Sequence, residues 1–131
     1  MSIQYRLTPM KDNISEDPKV GYYAQVVTRG TVTTERLCRE ISAGCTLTVA
    51  DLKAAIEALV SSVEDKLKDG YNVCIDDLGT FSVSAQSVLA TEEDGIRAPS
   101  VKVKKINFRP SVRLKKRMSL SRFEKARLDD R

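Results

Sequence analysis

Apolar residues at Val49, Leu52, Ile56, Leu59, Val60, Val63 and Leu67 recur at the helical period, which predicts a long amphipathic helix from Val49 to Asp69. Thr48-Val49-Ala50-Asp51 resembles a capping box at its start, with Asp in place of Glu or Gln, and Gly70 is the stop. The period then changes to two. Tyr71, Val73 and Ile75 share one face, and Phe81 and Val83 follow after Asp76-Asp77-Leu78-Gly79, so a β-hairpin with strands over 71–76 and 80–85 is expected.

On the N-terminal side, Thr33 or Thr34 can cap a short helix over 35–43, with Leu37 and Ile41 on one face. Gly44 suits a left-handed C′ position there. Ile3, Tyr5 and Leu7 alternate with polar residues over 3–8, a half-buried strand that Pro9 stops or confines to an edge. Residues 11–21 are polar, contain Pro18 and read as a loop. Residues 22–28 (YYAQVVT) read as a second strand, and whether these two strands pair with each other is left open.

Beyond the hairpin, 86–100 loses all periodicity and is expected to be a loop or an extended arm. Residues 101–108 form a further strand whose alternation slips. Val101 and Val103 share one parity, Ile106 and Phe108 the other, and a β-bulge near Lys104-Lys105 would return all four to one face. Pro110-Ser111 opens a short helix with Val112, Leu114 and Met118. Ser121 to Glu124 has the S-x-x-E pattern, which predicts a helical tail carrying Phe123 and Leu128. The fold class is α+β, with three parts: an N-terminal β extension over 1–32, a main domain over 33–118, and a basic helical tail over 119–131.

Composition adds that the core is lean. The 131 residues are 41% hydrophobic but only 5% aromatic, with no Trp, so self-association is an obvious way to bury more of the helical stripe. No run approaches the ~20 apolar residues of a membrane span, and the first residues do not read as a signal peptide. A cytoplasmic protein is expected.

Charge is distributed unevenly. Residues 1–100 hold 10 Lys+Arg and 15 Asp+Glu, a net of −5, whereas residues 101–131 hold 12 and 3, a net of +9. Such asymmetry points to a polyanion at the C-terminal third. The candidate contacts are Lys102, Lys104, Lys105 and Arg109 on the strand, and Arg113, Lys115, Lys116 and Arg117 on the helix after it. Ordinary solvated or edge-protecting lysines are the bland alternative. Nothing resembles base-specific readout, so recognition of backbone and shape is expected.

Catalytic chemistry has little to work with. The chain has no His, which removes the commonest general base and the Ser-His-Asp and Cys-His arrangements. Cys38, Cys45 and Cys74 form no CxxC pair, so reduced thiols acting mostly as small hydrophobes are expected, with no metal and no cofactor. Asp76 and Asp77 fit a turn far better than an acid/base pair. No spacing singles out a Ser-Lys dyad. Tyr22 and Tyr23 could stack on bases, but burial against a sheet is the expected role.

Helix, turn, long helix ending in Lys68-Asp69-Gly70, strand, then Leu78-Gly79-Thr80-Phe81 resembles the order of the bacterial HU and integration-host-factor (histone-like, IHF-like) proteins. Phe108-Arg109-Pro110-Ser111 followed by Leu114-Lys115-Lys116 resembles that family's last strand and C-terminal helix. The likeness covers about residues 33–118, and the N-terminal extension looks like that of a divergent HU-like branch. It implies an intertwined homodimer, a helical base under three-stranded antiparallel sheets with arms, and non-enzymatic architectural binding of double-stranded DNA in the nucleoid. It implies no membrane and no small-molecule substrate. The stretch matching the family's basic arm reads ATEEDGIRAPS here, so Arg97-Ala98-Pro99 stands at the place of the Arg-Asn-Pro tip. Glu92, Glu93 and Asp94 would repel phosphates along such an arm. A structural or protein-interaction module on the same scaffold is the alternative reading, and RNA binding a third.

Overall fold

The computed structural model of the protein describes residues 1–11, 20–87, 89 and 92–127. The predicted loop around Pro18 and position Leu128 of the predicted tail lie outside the described residues. The chain is α+β and divides into two compact units, Thr33–Arg117 and Met1–Val32 with Met118–Arg131.

In the Thr33–Arg117 unit, helix α1 (Thr34–Ala43) starts at Thr33, whose hydroxyl accepts the Arg36 N–H. Gly44 is not left-handed there: its φ is −104°, and its N–H closes the last turn onto the Ile41 carbonyl at 3.0 Å. A tightened final turn satisfies that carbonyl without a left-handed residue. Ser42 Oγ then donates to the Leu47 carbonyl at 2.7 Å and holds the short turn into α2 (Val49–Lys68). The Thr48–Asp51 capping box forms in both directions. At the other end Gly70, at φ +89°, and Tyr71 donate to the carbonyls of Leu67 and Lys66, a Schellman closure that requires the left-handed glycine. In the last turns Glu64 bonds Lys68 at 3.0 Å and raises its ammonium pKa.

The packing is thin. Cys38 is the buried hydrophobic side chain among the described residues, whereas its neighbours Leu37 and Ile41 are exposed. Helix α2 buries none of its 20 residues fully. Its stripe divides: Leu52, Ile56, Val63 and Leu67 are half-buried, while Leu59 and Val60 stay 47% and 59% exposed.

Strands β3 (Val73–Ile75), β4 (Gly79–Gln86) and β5 (Lys102–Pro110) make an antiparallel sheet in the order β3-β4-β5. Phe81 lies opposite both Val73 and Phe108, Val83 opposite Ile106, and Ala85 opposite Val103, so one face is apolar. The Phe81 and Phe108 rings sit 5.0 Å apart. The slip in alternation is a bulge: Ser84 faces Lys105 and Ala85 faces Val103, which leaves Lys104 as the extra residue. Val101 precedes the strand, so three of the four expected residues, Val103, Ile106 and Phe108, share the face. Helix α3 (Val112–Met118) follows directly.

The other unit is a mixed sheet in the order β2-β1-β6. Strand β1 (Ile3–Lys11) pairs antiparallel with β2 (Val20–Val27), which answers the open pairing question. Pro9 does not stop β1; it lies opposite Tyr22 inside the ladder. Among the described residues the other edge of β1 pairs from Ile3 to Tyr5, with β6 (Phe123–Lys125), and Pro9 lies beyond that pairing. The helical reading of the tail is corrected here: Phe123–Lys125 is a parallel strand on β1. A capping pattern over so few residues cannot outweigh strand pairing, because a short isolated helix is marginal in water. Tyr22 and Tyr23 are not buried either, at 69% and 46% exposure, on a strand at the edge of its sheet.

Candidate nucleic-acid interface

The second face of the β3-β4-β5 sheet is assembled by the same register that makes the first one apolar. Opposite pairs share a face, so Arg109 stands with Thr80, Asn107 with Ser82, Lys105 with Ser84, and Lys102 with Gln86. Three cations are thereby set among hydroxyl and amide groups, and none of the three strands contains Asp or Glu. From Lys102 to Arg109 the strand runs roughly 20 Å, the axial length of about six phosphates on one strand of a duplex. The cations and Gln86 are exposed, while Thr80, Ser82, Ser84 and Asn107 are half-buried, a combination of charge and neutral polar groups suited to phosphate oxygens.

Lys104, the bulge residue, stands outside the strict pairing and is exposed. The bulge has a consequence for charge. Without it, Lys102 would fall on the apolar face, because a shift of one residue exchanges the two faces.

The remaining candidates lie off the sheet. Lys115, Lys116 and Arg117 occupy the last turn of α3, where cations are favourable to the helix dipole. Arg113 is committed elsewhere: its guanidinium donates to Asp77 Oδ2 at 2.9 Å. Asp77 itself holds a left-handed turn position, φ +64°, and sits at the β3–β4 connection. Arg97 lies in the β4–β5 connection, just before the 3-10 turn Ala98–Ser100, where its N–H donates to Ser100 Oγ at 3.2 Å. Exposed Glu92 and Glu93 lie in the same connection. The structure thus brings Lys102, Lys105 and Arg109 together, carries Lys115, Lys116 and Arg117 on the following helix, and leaves Arg97 in the acidic connection.

Sequence reasoning missed the neutral part of this face. Thr80, Ser82, Ser84 and Gln86 alternate at period two opposite the basic residues, and that alternation was the available signal. The Asp77–Arg113 pair had none, because its members lie far apart in the chain and belong to unlike elements.

The family described as an HU domain fused to a wHTH, Ig or glycine-rich motif (HU-HIG) matches residues 1–125. The chain belongs to this family. The HU-HIG match extends over both compact units, from β1 through β6. No functionally curated protein matches the chain. Among solved structures, a Bacteroides vulgatus protein provisionally described as a bacterial DNA-binding protein superposes with a TM-score of 0.64 at 13% identity. The likeness covers 91% of this chain and 47% of that one, so the HU-HIG chain spans about half the length of its structural neighbour. At that identity the likeness is one of fold.

Proposed function

We propose that this HU-HIG chain is a non-enzymatic, HU-like DNA-binding protein that grips the phosphate backbone of duplex DNA with little sequence preference. The carrying observation is the carboxylate-free sheet face that places Lys102, Lys105 and Arg109 among hydroxyl and amide donors. Lys104 on the strand and Lys115, Lys116 and Arg117 in the last turn of α3 are the further contacts in this reading. Groups of this kind position a protein on DNA without reading bases.

The working form is a homodimer. A 20-residue helix with no fully buried residue, and exposed Val83, Ile106 and Phe108 on the apolar sheet face, leave apolar surface that a second copy would cover. The arm is expected to bend DNA weakly, because Glu92 and Glu93 repel phosphates. Those same carboxylates favour a second reading, in which the HU scaffold serves as a protein-interaction module.

Reversal of the sheet cations separates the two. Lys102→Glu/Lys105→Glu/Arg109→Glu is expected to abolish binding of a mixed-sequence duplex in fluorescence anisotropy at low salt. Retained binding by the folded triple variant would move the site elsewhere. Competition by double-stranded RNA at equal strength would replace DNA as the preferred partner.

A further inference from the structure

Four successive ties join the β3–β4 turn to the start of α3. Pro110 pairs with Gly79 at the end of the ladder. Ser111 N–H donates to the Leu78 carbonyl at 3.0 Å, and Ser111 Oγ–H donates to the Asp77 carbonyl at 2.9 Å. Arg113 then donates to the Asp77 carboxylate at 2.9 Å. Ser111 also caps α3, since its hydroxyl accepts the Leu114 N–H at 3.0 Å and its carbonyl accepts the Lys115 N–H at 3.0 Å. The helix is therefore fixed to the turn both at its cap and at its second residue.

We infer that Arg113 is a positioning residue and not a phosphate ligand: held by Asp77, it sets the rotation of α3 about its axis. Residues three and four positions apart share a side of a helix, so the side of α3 that meets Asp77 at Arg113 also carries Lys116 and Arg117. A seven-residue helix has little packing of its own to fix its rotation. The Ser111 bonds fix where α3 starts, and the off-axis ion pair adds a second constraint on its rotation. Asp77 acts through Arg113 at a cost in charge, since its carboxylate adds to that of exposed Asp76 in the same turn and sits beside a guanidinium. This inference rests on the DNA-binding reading above.

The charge cost makes the test decisive. Asp77→Asn removes a negative charge and keeps a residue that tolerates the left-handed turn. If Arg113 were a phosphate ligand restrained by Asp77, this variant would bind duplex DNA more tightly. Positioning predicts the opposite. Binding of a fluorescent mixed-sequence duplex by the full chain is expected to weaken about fivefold in Asp77→Asn and in Arg113→Gln, and no further in the double variant. Amide exchange at Leu114 and Lys115 in the DNA-free protein should quicken in each variant, with circular dichroism unchanged. Equal or tighter binding by Asp77→Asn, or unaltered exchange in both single variants, would overturn the inference while leaving the DNA reading intact. Failure of the unaltered protein to bind DNA would overturn both, and is distinguished by requiring no variant.

Discussion

A Cβ on Gly79 would fall against the carbonyl oxygen of Arg109 and 2.7 Å from Phe108 Cε2. Neither neighbour can yield easily, one being backbone and the other a ring tilted against Phe81 with centroids 5.0 Å apart. Gly79→Ala is therefore expected to lower stability by about 2–3 kcal/mol in urea denaturation; an unchanged midpoint would mean that the β4–β5 ladder opens at this point. The Thr48 cap was legible in the sequence because it is a local requirement of helix chemistry. Gly79 was legible as a turn residue, whereas its close approach to Arg109 and Phe108 depends on how β5 pairs with β4. The role of Asp77 was legible only by half. Its place in a turn follows from residue type, whereas its hold on Arg113 depends on how β5 returns beside β4. Cys38 was also obscured: Leu37 and Ile41 are the greasier residues of α1, yet the smaller thiol is the one enclosed.

Among the elements, α2 was the most legible, since seven apolar positions at helical spacing outweigh any competing pattern. What the pattern concealed was its division into half-buried positions and the outward pair Leu59 and Val60. That division motivates the dimer. The unaltered protein is expected to sediment as a dimer at micromolar concentration, and Val60→Glu is expected to shift it to monomer or to lose helical circular dichroism. A monomeric unaltered protein would contradict this assignment. Strand β5 was legible down to its bulge, because a slip in parity has few structural explanations. Strand β6 was not. The pattern at Ser121–Glu124 is short and local, while the partner that decides its conformation, Ile3–Tyr5, lies at the other end of the chain. Strand pairing between chain ends leaves no mark in a window of a few residues.

At the scale of the whole molecule, the charge asymmetry and the sheet register answer different questions. The excess of cations after residue 101 points to a polyanion, but the count does not say which cations act together. The register does: it separates Lys102, Lys105 and Arg109 from the apolar face and groups them with neutral donors. HU-HIG membership supplies the scaffold, and the acidic β4–β5 connection distinguishes this chain from a basic-armed binder. Backbone recognition by that face makes a quantitative demand on the intact protein, because each neutralised phosphate releases counterions. The most direct measurement is the affinity of the unaltered chain for a mixed-sequence duplex across a series of salt concentrations. A linear fall of log affinity against log salt is predicted, with a slope of about −3 to −6, at ~0.9 per phosphate contacted. Binding absent at low salt, or binding indifferent to salt, would contradict the account.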